Sequence, residues 1–333
     1  MNKSRTAERN FILLLLAGIL LVAAGIIAAT CFGAKQISLQ TVWDSLFSYR
    51  EEMDHMLVRD ARLPRAVSSM LVGGMLALTG AVMQGITRNP VAEPSVLGMS
   101  QGATLAVAIS YVLLGIGMGG GLIAMAMAGS IVSGGFILLI SLRNPSNLNL
   151  SKLLLAGTAA STFMLSLAST VALLGNRSQE LAFWIAGGFG NTDWNDVRIL
   201  LIFGGIASCL LFLLAGKINI LNLGEETAIG LGIHPSRLRV IAIALMIPIC
   251  AACVSVSGNI VFVGLVVPHI MRRLIGSDYH KLLPLSFLYG SVLLVWADIL
   301  AKMVNLPYET PIGLFTAMIG VPFFLLLVRK EKG

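Results

Sequence analysis

The stretch FILLLLAGILLVAAGIIAATCF, residues 11–32, decides the kind of fold that this chain adopts. It holds no charged residue, and about 20 consecutive apolar residues are enough for a helix to cross a hydrocarbon core of about 30 Å. The run follows Lys3, Arg5 and Arg9. It is longer than the apolar region of a signal peptide and lacks a small-residue cleavage site. The sequence therefore predicts an uncleaved first transmembrane helix.

The rest of the chain has the same apolar character. Of 333 residues, 56% are hydrophobic and 12% are charged, which is too few charges to coat a soluble protein of this size. The composition excludes a soluble enzyme. It predicts an all-α, polytopic integral membrane protein that forms a single transmembrane domain over residues 1–333. The ten predicted spans lie near residues 11–32, 64–85, 95–115, 121–142, 152–175, 197–216, 238–257, 258–275, 282–304 and 310–328.

The seventh and eighth predicted spans are contiguous. Residues 238–271 are too long for one span, and the polar break within them is Ser255-Val256-Ser257-Gly258-Asn259. We expect a tight reversal there, followed by a short eighth span that contains Pro268.

The positions of Lys and Arg predict the orientation in the membrane. Ten spans put both termini on one side, and with the termini inside, the inner segments carry fifteen Lys and Arg while the outer segments carry eight. This is the positive-inside pattern, so both termini are expected in the cytoplasm. The net charge of +7 is thus a signal of topology. It does not indicate nucleic-acid binding, because the basic residues lie between apolar runs rather than on one polar face.

Two outer segments, residues 33–63 and 176–196, are longer than a turn requires. The second carries Phe183, Trp184 and Trp194, which suit an aromatic anchor at the membrane interface. The first predicts a helix that lies on the membrane surface. Its apolar residues recur at helical spacing: Ile37, Leu39, Val42, Trp43, Leu46 and Phe47.

Charged residues also occur at the outer ends of two spans. Arg62 and Arg65 open the second span and are three residues apart, so they share a helix face. We expect them to be unpaired within the chain, and to bind either lipid phosphates or acidic groups of a docking partner. Asp298 and Lys302, four residues apart in the ninth span, are expected to pair, since a charge in a span costs roughly 2.5–3.5 kcal/mol on insertion scales.

Two inner segments are richer in Gly, Pro and charge than simple turns need. In residues 83–98, Pro90 and Pro94 forbid a continuous helix. This segment is either a constriction of a pathway or a rigid inner turn, and composition alone favours the turn. Residues 221–233 predict one or two short helices with an acidic N-terminus. The apolar residues there need a cover, from a partner protein or from the chain's own spans: Ile229, Leu231 and Ile233.

The chain carries no motif for an enzyme or a cofactor. It has no G-x-x-x-x-G-K-[ST] loop, and its four His and sixteen acids show no metal-ligand spacing. Cys250-Ala-Ala-Cys253 lies in an apolar helix with no second Cys pair, which is typical of small buried residues. We expect no metal, no cofactor and no catalytic residue on this chain. Its energy must come from a partner or an ion gradient.

Together these segments resemble the permease subunits of ABC importers for ferric siderophores, haem and cobalamin, from about residue 33 to 328. The N-terminal motifs that carry the resemblance are Arg62-Leu63-Pro64-Arg65, Gly80-x-x-Met83-Gln84-x-x-x-Arg88-Asn89-Pro90 and Trp184-x-x-Gly187-Gly188-Phe189. The C-terminal ones are Leu223-Gly224-Glu225-Glu226, Gly258-x-Ile260-x-Phe262-Val263-Gly264-Leu265-Val266-Val267-Pro268-His269-x-x-Arg272, Ala297-Asp298-x-x-Ala301, Pro307-x-Glu309-x-Pro311-x-Gly313 and Gly320-x-Pro322-x-Phe324.

The resemblance implies roles for three sets of residues. Docking of an external substrate-binding protein is implied for Arg62, Arg65 and Lys302, although relatives often carry Arg at the third position. Coupling to an ATPase is implied for Gly224, Glu225, Glu226, Gly230 and Gly232. A cytoplasmic gate of the pathway is implied for Asn89, Pro90 and Val91, where Leu is usual at the third position.

The resemblance also implies partners and a function. A second permease subunit, identical or a sibling, would flank the pathway, and two cytoplasmic ATPase subunits would hold ATP and Mg²⁺. The expected function is to carry an iron–siderophore complex across a bacterial cytoplasmic membrane, with haem or cobalamin as alternative cargo. The alternative from another class is a proton-coupled secondary transporter that uses Asp298 and Glu309. It is disfavoured because both acids fall near the outer boundary rather than at the midplane.

Overall fold

The computed structural model describes residues 2–117, 119–143, 150–306 and 308–331, and every regular element in these ranges is helical. Pro307 and most of the predicted connection between the fourth and fifth spans, 144–149, lie outside the described residues. In chain order the α-helices, with their π-helical stretches, are α1 Asn2–Cys31, α2 Leu39–Phe47, α3 Met53–Thr87, α4 Met99–Leu114, α5 Gly120–Arg143, α6 Leu150–Leu174, α7 Ser178–Ala186, α8 Trp194–Phe212, α9 Ala215–Asn222, α10 Glu225–Gly230, α11 Pro235–Ser257, α12 Val263–Ile275, α13 Tyr279–Met303 and α14 Ile312–Glu331. A short 3₁₀ helix, Pro94–Leu97, precedes α4.

Seven of the described helices are long and apolar enough to cross a membrane: α1, α3, α5, α6, α8, α11 and α13. Each of them overlaps one of the predicted spans. Two further apolar stretches, Met99–Leu114 and Ile312–Leu325, are shorter and fall on the third and tenth predicted spans. The all-α, polytopic membrane fold predicted from the sequence is confirmed.

The eighth predicted span, 258–275, is a half-length helix in the structure. α11 ends at Ser257, as expected, but five irregular residues follow before α12 begins at Val263. α12 has 13 residues and is therefore about 20 Å long, too short to cross a bilayer core. Phe262 precedes it with φ of 71°, an uncommon conformation for a bulky residue.

The second span begins earlier than predicted. α3 starts at Met53 rather than near residue 64, and its residues Leu57–Arg62 form a π-helical stretch. Arg62 and Arg65 therefore lie inside a continuous helix rather than at its opening. Sequence reasoning placed the start near residue 64 because the apolar run begins there.

The predicted amphipathic outer helix forms at α2. Val42 is buried with Ile37 and Val58 in a small apolar cluster. Trp43 and Phe47 are exposed on the other side, with ring centroids 4.4 Å apart. An aromatic face of this kind suits the interface of a membrane.

α3 lies at the centre of the described bundle. Its backbone approaches α13 closely where Gly73 faces Gly290, and α12 where Gly80 faces Gly264. A Cβ added at Gly80 would overlap the carbonyl oxygen of Gly264, so only glycine permits this contact. Small residues let helix backbones pack closely in membranes, where the hydrophobic effect between helices is absent.

Candidate functional site

Four charged residues form what we call the outer charge cluster: Arg65, Asp298, Lys302 and Glu309. Arg65 donates from Nη2 to Asp298 Oδ1 at 2.8 Å and from Nε to both Asp298 oxygens at 3.1 Å. Its Nη1 donates to Glu309 Oε1 at 2.6 Å. Lys302 Nζ lies 2.8 Å from Asp298 Oδ2. The Asp298 side chain is fully buried, whereas that of Glu309 is half exposed.

Arg62 has a different set of partners. Its Nη1 donates to the carbonyl oxygens of Thr30 at 2.8 Å and Cys31 at 3.0 Å, and its Nη2 donates to the carbonyl oxygen of Lys35. The residue is 8% exposed. It therefore fastens α3 to the C-terminal end of α1, where the last carbonyls have no partner within their own helix.

The expectation that Arg62 and Arg65 are unpaired within the chain is wrong. Both lie in a helix that packs against α1 and α13, and a buried guanidinium must find acceptors there. The expected pairing of Asp298 with Lys302 is confirmed by their 2.8 Å contact. The docking role implied for Arg62, Arg65 and Lys302 stays a prediction.

An open cavity of about 940 Å³ lies beside the outer charge cluster. Arg65 and Glu309 are on its wall, together with Trp184 and the ion pair of Arg177 and Glu180, whose atoms are 2.7 Å apart. The hydrogen bond from Arg177 lowers the pKa of Glu180. The cavity thus combines aromatic surface with both signs of charge.

The three aromatic residues predicted to anchor the outer segment 176–196 lie in two places, two beside the cavity and one at the start of α8. Phe183 is 67% exposed and borders the cavity with Trp184. Trp194 begins α8 and donates from Nε1 to the carbonyl oxygen of Arg59 at 2.9 Å. An indole with an apolar body and a bonded N–H suits a membrane interface.

The inner segment 88–98 interrupts the α-helix, as the two prolines predict, and contains one short 3₁₀ helix, Pro94–Leu97. α3 ends at Thr87, and Arg88 adopts a left-handed conformation with φ of 53°. Asn89 Oδ1 then accepts a hydrogen bond from the backbone N–H of Val91 at 3.0 Å, which makes a tight Asx turn. Asn89, Pro90 and Val91 are all partly buried.

Sequence reasoning missed Glu93 in this segment. Its carboxylate accepts from the backbone N–H of Phe262 at 2.9 Å, directly before α12. Glu93 also lines a small cavity of about 20 Å³ with Thr79, Cys250 and Cys253. A carboxylate suits a helix N-terminus because it meets the positive end of the helix dipole. The sequence signal that could have identified Glu93 was a single acid between two prolines in an apolar stretch.

The predicted cytoplasmic loop 221–233 contains one short helix, α10. Gly224, with φ of 137°, makes the turn from α9 into it. Ala228 is buried, while Ile229 and Leu231 are 57% and 60% exposed, as predicted. Ile233 is partly buried against the core instead, because the chain turns inward toward α11.

The two acids at the start of α10 differ in their contacts within the chain. Glu225 pairs with the buried Arg239 of α11, and the hydrogen bond from Arg239 lowers its pKa. Glu226 is exposed. Gly230 ends the helix, and Gly232 follows with φ of 79°.

No cluster of three or more His, Cys, Asp or Glu among the described residues could hold a metal ion. Cys250 and Cys253 are buried free cysteines.

The chain belongs to the FecCD transport family, whose model matches residues 19–330. It is 39% identical to the iron(3+)-hydroxamate import system permease protein FhuB of Bacillus subtilis, over 96% of this chain and 84% of that one. It is 35% identical to the Fe(3+)-citrate import system permease protein YfmD of the same organism, over 99% and 98%. The chain also superposes on a solved structure of a metal-chelate type ABC transporter in an inward-facing conformation. The TM-score is 0.83 at 28% identity, over 95% of this chain and 98% of that one.

Proposed function

We propose that this chain is the permease subunit of an ABC importer that moves a ferric chelate, such as an iron–siderophore complex, into the cytoplasm. The observation that carries the proposal is α10, which presents Ile229 and Leu231 outside the bundle at a place where a partner would cover them. Family membership and the relatives FhuB and YfmD, both named for iron(3+) chelates, support this cargo over haem or cobalamin.

The energy comes from other subunits in this proposal. Two cytoplasmic ATPase subunits bind ATP and Mg²⁺, and their closure displaces α10. A groove on the ATPase receives the exposed apolar side chains, as in other complexes where a short helix lies in a groove. This chain binds no cofactor of its own, and a second permease completes the pathway. Both termini face the cytoplasm, in keeping with the positive-inside distribution of Lys and Arg.

An external binding protein delivers the chelate to the outer face. Of the three predicted docking cations, Arg65 borders the outer cavity, so we place the contact with an acid of the binding protein there first. Arg65, Arg62 and Lys302 are 7%, 8% and 7% exposed and all have acceptors within the chain, but one acceptor of Arg65, Glu309, is half exposed. Arg62 and Lys302 do not line the cavity. They support Arg65 and come within reach of a partner only if the outer segments move.

A proton-coupled mechanism is less consistent with the geometry. It would need carboxylates that gain and lose protons along a pathway. Asp298 and Glu309 are instead held by Arg65 and, for Asp298, by Lys302. Both acids are thus engaged in structural ion pairs rather than placed singly along a pathway.

The test is transport by the complex reconstituted in liposomes, with the ATPase subunits, the binding protein and a radiolabelled ferric chelate. We expect uptake that needs ATP, stops with vanadate and ignores a protonophore. Reversing two charges, Glu225→Arg with Glu226→Arg, should abolish uptake, whereas Asp60→Arg on the exposed outer part of α3 should not. Uptake that persists without ATP would overturn the proposal.

A further inference from the structure

The C-terminal end of α3 is bonded to the cytoplasmic loop rather than left open. The last carbonyls of a helix have no partner within it. Here Ile86 O accepts from Nε of Arg239 at 3.0 Å, and Gly85 O accepts from Nδ2 of Asn222 at 3.5 Å. Both donors flank α10 in sequence, one on each side. The end of α3 and the surroundings of α10 therefore share their hydrogen bonds.

Arg239 joins three elements by one side chain. While its Nε bonds Ile86 at the end of α3, its Nη2 pairs with Glu225, the first residue of α10. The residue itself belongs to α11 and is 5% exposed. A buried guanidinium fork that bonds in two directions holds both acceptors at a fixed separation, which an ammonium group does less well.

A second arginine makes the same link from the other side. Arg88 directly follows α3 and donates through Nε, at 3.0 Å, and through Nη2 to the carbonyl oxygen of Leu221, in the last turn of α9. A cation is favourable at a helix C-terminus, because it meets the negative end of the dipole. The connection from α9 to α10 is thus bonded to the end of α3 at both of its ends. We call Arg88 and Arg239, with these acceptors, the inner clasp.

We propose that Arg239, assisted by Arg88, is the positioning residue that transmits displacement of α10 to the turn formed by Asn89, Pro90 and Val91. This inference rests on the proposed function. The turn begins one residue after Arg88, and the bond from Val91 N–H to Asn89 Oδ1 stiffens it. A pull on α10 therefore moves the end of α3, and the turn moves with it.

The first test compares uptake with ATP hydrolysis in the reconstituted complex. In Arg239→Gln we expect uptake per ATP to fall by about threefold to thirtyfold, the range found for residues that carry coupling between sites. Binding of the ATPase should persist, since Ile229 and Leu231 are unchanged. Arg237→Gln, an exposed cation on the same helix, is the matched control and should keep the wild-type ratio. A wild-type ratio in Arg239→Gln would overturn the inference.

A charge swap separates transmission from simple attraction between α10 and α11. The double variant Glu225→Arg with Arg239→Glu restores an ion pair between these helices but cannot donate to Ile86. We expect it to stay uncoupled. Recovery of the wild-type ratio would show that the link to α3 is dispensable, and would contradict the inference.

A distance measurement needs no change in the inner clasp. Spin labels at Thr227 on α10 and at Val91, where the backbone N–H that bonds Asn89 Oδ1 is kept, with Cys209 replaced by serine, report whether the two sites move as one body. We expect their separation to stay constant between the nucleotide-free and ATP-trapped complexes, while both shift relative to a label at Thr170 on α6. A separation that changes with ATP would overturn the inference. If the wild-type complex itself fails to couple ATP to uptake, the proposed function fails instead.

Discussion

The outer charge cluster and the exposed face of α10 are both predicted contact surfaces, and they are built in opposite ways. In the outer cluster Arg65 and Lys302 are already paired with acids of this chain, and Asp298 is fully buried. On the inner side, Ile229 and Leu231 are exposed beside a helix start that Arg239 holds in place. A partner outside must therefore compete with internal acceptors, whereas a partner inside meets a preformed apolar surface.

The half-exposed Glu309 is where such competition can occur. It occupies one nitrogen of Arg65, while Asp298 holds the others from a fully buried position. An acid of a docking protein can replace Glu309 without exposing Asp298. In the proposed function, the outer surface therefore exchanges one anion with the binding protein, and the inner surface buries apolar area against the ATPase.

The largest effect is expected where the outer cluster loses its buried anion. Asp298→Asn leaves Arg65 and Lys302 buried with one fewer negative partner, and breaking a buried pair costs about 3–5 kcal/mol. We expect a large drop in the thermal unfolding temperature of the protein in detergent. Asp60→Asn, an exposed acid on α3, is the control and should leave the temperature unchanged. Equal unfolding temperatures for Asp298→Asn and wild type would contradict this reading of the cluster.

The next effect concerns the bond between α3 and α1. Arg62→Met removes the donors to Thr30, Cys31 and Lys35, and hydrogen bonds of a charged group contribute about 1.5–3 kcal/mol. We expect a clear loss of thermal stability and faster hydrogen exchange at the end of α1. Arg59 lies over the Tyr49 ring, and we expect Arg59→Met to lose less thermal stability than Arg62→Met. If Arg59→Met were the more damaging change, the role given to Arg62 would be wrong.

A smaller effect tests the competition at Arg65. Glu309→Gln removes a half-exposed partner, so stability should fall by at most about 1 kcal/mol. The binding protein should bind up to about fivefold more tightly, since 1.4 kcal/mol corresponds to a factor of ten. Titration of the binding protein onto the complex measures this. Weaker binding would exclude docking at Arg65 by exchange.

The smallest effect is a pH dependence on the inner side. The hydrogen bond from Arg239 lowers the pKa of Glu225, so the pair stabilises the folded state above the ordinary glutamate pKa of about 4.3. That contribution is lost as the pH falls through the lowered pKa. We expect the difference in unfolding temperature between wild type and Glu225→Gln to be constant from about pH 8 to 5 and to shrink below about pH 4. A difference that grew on acidification would have the wrong sign.

The sequence predicted those features that depend on neighbouring residues. The length and low charge of the apolar runs predicted the spans. Pro90 and Pro94 predicted the inner break, and the helical spacing of apolar residues around Val42 predicted the outer helix α2. It could not predict contacts between residues far apart in the chain. Asp298 follows Arg65 by 233 positions, and nothing local shows that they meet. The same holds for Arg239, whose acceptor Ile86 is 153 positions away.

The sequence did not predict that α12 is only half a span long, for a related reason. An apolar run near residues 258–275 shows that the segment is buried, not that it is a helix throughout. The irregular residues before α12 are stabilised by Glu93, which caps Phe262 from another segment, and by Gly320, which leaves room for the Phe262 ring. Tertiary contacts, not local preference, therefore set where this helix begins.

The most direct test of the inner surface is the affinity of the ATPase subunit for this permease in lipid nanodiscs. We predict saturable binding, weakened by at least about a hundredfold in the double variant Ile229→Asp with Leu231→Asp, because each change loses about 1.5–3 kcal/mol of apolar burial and leaves a carboxylate to be desolvated. Leu39→Asp, equally exposed on the outer helix α2, should bind like wild type. Equal affinity in the double variant and the wild type would contradict the account of α10 as the surface that receives the ATPase.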